Sequence, residues 1–153
     1  MHRETTALTI IRHTLHHSHR NGRAISIVAD RWQLAKTRWR ATATDGREFG
    51  FELEQPLRHG DVILENDYGH YILDQSPEPV LVFAMGDNES IASLAWSIGN
   101  LHQPLQVLPG ELVAADDPAL RQWCDQQHVA YRGEHRVFQP LRAAAGHHHH
   151  HPH

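Results

Sequence analysis

Histidine is the residue type in this chain whose number and spacing could do chemistry. Sixteen of the 153 residues are histidine. They include a single residue, His102, in Gly99-Asn-Leu-His102-Gln-Pro-Leu-Gln106, and a C-terminal run from His147 to His151 followed by Pro152 and His153. Neutral imidazole is a ligand for nickel, copper, zinc and iron(II). The candidate metal ligands are therefore His102, His147, His148, His149, His150, His151 and His153. One imidazole is too few for tight binding, but in a two-fold dimer each contact residue recurs on the partner. With His102 near the axis, two imidazoles would face one ion, and a flexible tail would add more. Protonated imidazole cannot ligate, so such binding weakens below about pH 6. His13, His16, His17 and His19 form a second cluster. They read more simply as polar residues of an exposed strand or arm than as an accessory metal patch.

Other chemistries lack their residues. Cys124 is the only cysteine, which excludes an internal disulfide and a cysteine-based zinc site. It falls on an apolar helical stripe and reads as core. The chain has no Gly-rich phosphate loop, no Gly-x-Ser-x-Gly elbow and no His-Glu-x-x-His helix. Asp116 and Asp117 are paired carboxylates, but Asp117 before Pro118 reads as a helix cap. With neither nucleophile nor matched acid–base pair, the chain is expected not to be an enzyme. Residues 1–58 carry ten Arg/Lys against six Asp/Glu, and residues 59–153 four against twelve. That net-acidic balance argues against nucleic acid. No run of 18 apolar residues could span a membrane, and the N-terminus lacks the apolar centre of a secretory signal. The expected compartment is the cytoplasm.

The positioning elements are read from periodicity. Ala24–Val28, Thr37–Thr44 and Arg47–Leu53 alternate apolar and polar residues, as half-buried strands do. Asp45-Gly46 between the last two predicts a type I′ hairpin turn. Val62–Leu64 and Tyr71–Leu73 follow turns, and no helical period appears before about residue 87. Residues 1–76 are thus expected to form a small β-sandwich or barrel. Ser76-Pro-Glu-Pro79 reads as a linker, because two prolines fix φ and extend their neighbours. Beyond it the pattern is β-α-β-β-α-β. Val80–Ala84 is a continuous apolar strand, and Asp87 caps a helix with Ile91, Leu94, Ala95 and Ile98 on one stripe. Gly99 and Asn100 tolerate left-handed backbone, so the helix is expected to stop there and leave His102 on a connection. Leu105–Leu108 and Glu111–Ala114 flank a Pro-Gly turn. A second helix carries Leu120, Trp123 and Cys124, and a last strand runs about His135–Phe138. The expected class is α+β, with residues 77–141 a ferredoxin-like βαββαβ domain and 142–153 a disordered His-rich tail.

Trp96-Ser-Ile-Gly-Asn-Leu-His102-Gln-Pro-Leu-Gln106 resembles the helix-end signature of the UreE family of urease accessory nickel metallochaperones. Thr44-Asp-Gly-Arg-Glu-Phe-Gly50, Leu57-Arg-His-Gly-Asp61-Val, Pro109-Gly-Glu-Leu112 and Phe138-Gln-Pro140 match in the same order, so the resemblance covers roughly residues 36–140. A histidine-rich tail is common in that family. An expression tag is the competing origin of this one; five histidines, Pro152 and His153 depart from an uninterrupted six, and with the resemblance the run reads as native. The resemblance implies a homodimer that binds Ni(II) as cargo. Delivery would be to apo-urease through an accessory GTPase complex, with His102 as the bridging ligand and Zn(II) or Cu(II) as binders in vitro. Two departures stand out. Ala115-Asp-Asp-Pro118 replaces histidines that some relatives carry before the second helix, and Leu101 stands where a basic residue is frequent. The alternative reading is a ferredoxin-like protein- or RNA-binding module with a non-functional or tag-derived histidine tail.

Overall fold

The computed structural model describes residues 7–15 and 22–142. The chain divides into two compact units, Met1–Pro77 and Glu78–His153.

The first unit is built from strands β1 (Thr9–Ile11), β2 (Arg23–Ala29), β3 (Arg38–Thr42), β4 (Glu48–Glu52), β5 (Val62–Asn66) and β6 (Gly69–Gln75), with a short helix α1 (Arg31–Leu34). They form two three-stranded sheets, β1-β4-β3 and β2-β6-β5. β1 runs parallel to β4, and β2 parallel to β6. Alternation decides which side chains go inside: Ile27 and Ala29 are buried while Val28 between them is exposed. Phe49, Phe51, Tyr71, Leu57 and Leu73 join them in one core, each large apolar side chain contributing roughly 1.5–3 kcal/mol by leaving water.

Two expectations fail here for local reasons. α1 was not expected, because four residues are too few to show a period. A capping box specifies it: Asp30 accepts from the Gln33 amide at 2.7 Å, and Gln33 Oε1 accepts from the Asp30 amide at 2.9 Å. The β3–β4 turn is not type I′, since only Gly46 of the Asp45-Gly46 pair has positive φ, 91°. Gly46 donates to the Ala43 carbonyl at 2.9 Å and Ala43 to that of Arg47 at 2.8 Å. This is a three-residue loop with glycine at its left-handed position.

The second unit runs β7 (Glu78–Ala84), α2 (Asn88–Asn100), β8 (Leu105–Leu108), β9 (Glu111–Ala115), α3 (Pro118–Gln126) and β10 (Arg132–Arg136). Its four-stranded sheet has the order β10-β7-β9-β8, with every neighbouring pair antiparallel. β7 is buried on both faces. Leu81 and Phe83 pack with Ile98 of α2 and Leu120 and Cys124 of α3, while Val80 and Val82 pack with Val113 and Phe138 on the opposite face. Ser76-Pro77 alone separates β6 from β7; Pro79, expected in the linker, lies in β7 opposite His135. The last strand also differs, ending at Arg136 rather than Phe138. Its mainly polar residues pair with Glu78–Val82, and Phe138 leaves the ladder to fill the open face of the sheet.

Candidate metal centre

Helix α2 carries the first candidate ligand at its end. Asp87 starts it: its carboxylate accepts from the Ser90 amide and hydroxyl, both at 2.9 Å. Those bonds hold its pKa below the ordinary aspartate value. Of the apolar stripe, Ile98 is fully buried, with Ile91, Leu94 and Ala95 packed beside it. The opposite side exposes Glu89, Ala92, Ser93, Trp96, Gly99 and Asn100. At 100° per residue all lie within about 60° of Trp96. Within one turn Trp96, 70% exposed, has only Ala92, Ser93, Gly99 and Asn100 beside it on this face, with Glu89 two turns away.

The helix does not stop at Gly99 and Asn100, which both remain helical. Leu101 is the C-cap, and the left-handed residue is His102 itself, with φ of 56°. The His102 amide donates to the Gly99 carbonyl at 2.9 Å, and the Gln103 amide to the Ile98 carbonyl at 3.2 Å. This pair of bonds is a Schellman closure, whose left-handed position usually falls to glycine. Pro104 then turns the chain into β8. His102 is exposed and held on a hydrogen-bonded turn.

α3 ends the same way, with His128 at φ 55°. The Val129 amide donates to the Cys124 carbonyl at 2.9 Å, and Val129 packs on the core beside Cys124, as this closure favours. A left-handed histidine is therefore not by itself a mark of metal binding in this fold. What sets His102 apart is the exposed tryptophan face that leads to it.

Several carboxylates of the second unit are committed elsewhere. Asp116 accepts two hydrogen bonds from Arg121, each 2.6 Å, and this guanidinium holds its carboxyl below the usual range. Asp117 caps α3, accepting from the Ala119 and Leu120 amides at 2.8 and 3.1 Å. Glu111 and Glu134 alternate with Arg136 and Arg132 in a four-residue ion-pair network, which lowers both glutamate pKa values. Cys124 is fully buried, and burial pushes its thiol up, away from the thiolate a metal needs.

The remaining candidates divide by position. His13 is exposed just after β1. His16, His17, His19, His147, His148, His149, His150, His151 and His153 lie outside the described residues. Among the described residues, no three His, Cys, Asp or Glu side chains are grouped to hold an ion. Nor, among them, is any helix long and apolar enough to cross a membrane. Sequence reasoning missed the left-handed turn under His102 and the exposure of Trp96. Neither has a clear local signal, since Gly99 and Asn100 are better left-handed candidates than histidine and tryptophan is usually taken as core.

Family models for the UreE urease accessory protein match both units, the N-terminal domain over residues 8–72 and the C-terminal domain over residues 78–153. A urease accessory protein UreE from Pseudomonas putida GB-1 is 35% identical over 121 residues, covering 77% of this chain and 72% of the relative. One from Escherichia coli O157:H7 is 35% identical over 113 residues, 71% of this chain and 73% of the relative. One from Lysinibacillus sphaericus C3-41 is 27% identical over 119 residues, 76% and 80%.

Proposed function

Because the chain belongs to the UreE family of urease accessory proteins, whose members are chaperones and not enzymes, we propose that it carries Ni(II) as a homodimer and delivers it to apo-urease through the accessory GTPase complex. The observation that carries this reading is the presentation of His102: an exposed imidazole on a hydrogen-bonded turn, at the end of a helix whose last two turns expose one tryptophan among Ala92, Ser93, Gly99 and Asn100. Small residues allow close approach of a second copy of α2, and burying Trp96 there would supply much of the association energy. Two His102 imidazoles then meet at the axis. His147, His148, His149, His150, His151 and His153 complete the donor set and collect the ion. Ni(II) is the cargo, and Zn(II) and Cu(II) compete for the same imidazoles in vitro.

The antiparallel β10-β7-β9-β8 order with two helices on one face supports a ferredoxin-like reading of residues 77–141. Residues 1–76 form the β-rich domain and 142–153 the histidine tail. A carrier must release its load, and a site shared between two chains and a tail is suited to opening.

Calorimetry with nickel sulfate on the wild type, His102→Ala and a chain ending at Gly146 tests the reading. The tightest site is expected to vanish in His102→Ala and to persist, weakened, without the tail. Persistence of that site in His102→Ala refutes the bridging role. Trp96→Glu should shift the protein to monomer in light scattering and remove the shared site. A dimer that survives this change places the interface elsewhere.

A further inference from the structure

The Leu57-Arg-His59-Gly-Asp61 turn, which the metal reading leaves unused, is fastened to β6 rung by rung. Gly60 takes the left-handed position at φ 85°, and the Asp61 carboxylate accepts from the Arg58 amide at 2.7 Å. The Gly60 amide donates to the Leu73 carbonyl at 2.8 Å, and the Leu73 amide to the Asp61 carbonyl at 2.9 Å. The next rung along β6 needs an acceptor for the Gln75 amide, but the turn has already carried the partner backbone away. The His59 imidazole fills that place: the Gln75 amide donates to its Nδ1 at 3.0 Å. Gln75 is 4% exposed and is the last residue of β6, with Ser76-Pro77 before β7. On the other side the Ser76 amide donates to the Ala29 carbonyl at the end of β2, at 2.9 Å. The end of β6 is thus held from two sides, by a backbone carbonyl on one and by a titratable ring on the other.

We propose that His59 is a proton-sensitive latch on the end of β6: the neutral imidazole closes the last rung, beside the segment that joins the two units, and the protonated imidazole opens it. A ring that accepts at Nδ1 carries its one proton on Nε2. A second proton must go to Nδ1, where it turns the acceptor into a donor facing the Gln75 N–H. The charged groups around the ring are Asp74 on β6 and Arg58 and Asp61 on its own turn. Asp61 is committed to the Arg58 amide, but the Asp74 carboxylate lies 3.9 Å from Nδ1. The same nitrogen therefore has a partner in both states, the Gln75 amide when it is bare and Asp74 when it is protonated. The His59 side chain is 40% exposed, so water can deliver the proton. Histidine is the side chain whose ordinary titration falls between about pH 5 and 8, a range in which free carboxylates and arginine keep their charge. Closure is complete at the alkaline end and is lost as pH falls. The opened end of β6 is then held by β2 alone. A latched ring has no lone pair left for a metal, so the inference is independent of the nickel reading.

The test is amide hydrogen exchange of the full chain, read residue by residue by NMR at about pH 7.5 and about pH 5.5, on either side of the ordinary histidine value. Protection is expressed relative to unstructured backbone at the same pH, which removes the intrinsic pH dependence of exchange. Gln75 is expected to lose about five-fold in protection at the lower pH, the worth of one hydrogen bond. Gly60 and Ser76, whose amides reach carbonyls, should keep theirs. His59→Asn places an amide oxygen, an acceptor that does not titrate, close to the position of Nδ1; Gln75 should then stay protected at both pH values. In His59→Ala it should be weakly protected at both. Unchanged Gln75 protection in the wild type overturns the proposal. So does a parallel fall at Gly60 and Ser76, which would mean that the sheet opens as a whole, and so does a fall in His59→Asn as steep as in the wild type. Ring nitrogen shifts that place the proton on Nδ1 at the higher pH overturn it as well. The wild-type scan and the ring shifts decide the matter if neither variant folds.

Discussion

His102→Gly is expected to stabilise the protein while abolishing its principal nickel site. The magnitude follows from the turn. His102 holds φ of 56°, where the β-carbon of an L-residue meets the following carbonyl at roughly 1–2 kcal/mol. Glycine removes that strain, but it loses about 0.5–1 kcal/mol more backbone entropy on folding. The net gain is about 0.5–1 kcal/mol, worth a few degrees in the unfolding midpoint of a unit this size. His102→Ala removes the imidazole and keeps the strain, so it should lose nickel without the gain. His128→Gly makes the same backbone correction at φ 55° away from the proposed site; it should give a similar gain and leave nickel binding intact. The assay is calorimetric unfolding of the four proteins in a chelator, followed by nickel titration of each. A His102→Gly variant no more stable than His102→Ala would refute the reasoning, because the two differ by the strain relieved less the smaller entropy cost of glycine.

Three further outcomes can be checked. Asp117→Ala removes the acceptor for two amides at the start of α3 and should cost about 1 kcal/mol in urea unfolding. Gly69→Ala places a β-carbon 2.1 Å from the Arg23 carbonyl oxygen in the β2–β6 ladder; about 3 kcal/mol should be lost, at the upper end of overpacking costs, with nickel affinity unchanged. The depressed pKa of Asp116 makes its pair with Arg121 fully stabilising above the unfolded aspartate value, near 3.9. That stability is lost as pH falls through the lower folded value. Asp116→Asn should therefore flatten the acid limb of the stability–pH curve below about pH 4, and an unchanged limb would show that the pair does not contribute.

What the sequence reveals is mostly what is decided locally. Alternation marks strands β2, β3 and β4 of the first unit, Asp87 and Asp117 announce the helix starts, and the apolar run at Val80 identifies a central strand covered on one face or both. What it hides is decided by partners. α2 continues through Gly99 and Asn100 because Ile98 is seated in the core and its carbonyl accepts the Gln103 amide, so the left-handed step falls on a histidine. β10 starts three residues before its expected place because its partner is the Glu78–Val82 stretch of β7, and Phe138 is worth more buried on the bare sheet face than at an edge. α1 was legible in principle, since Asp30 and Gln33 stand at capping-box spacing, but it is too short to announce itself by period. His102 was legible as an exposed histidine on a connection after the helix, whereas its left-handed turn and the tryptophan face beside it needed the fold.

The two parallel ladders of the first unit carry a consequence for synthesis. β2 pairs with β6 across 46 positions, Arg23 to Gly69 through Ala29 to Gln75, and β1 waits in the same way for β4. At about 5–20 residues per second, β2 emerges from the ribosome and stands with an unfilled edge for roughly 2–9 seconds before its partner exists. The β2-β6-β5 sheet therefore closes late, when residue 75 is free, well after β1, β3 and β4 have all emerged, and a nascent chain stalled before that point would expose Ile25 and Ile27 to its neighbours on the polysome.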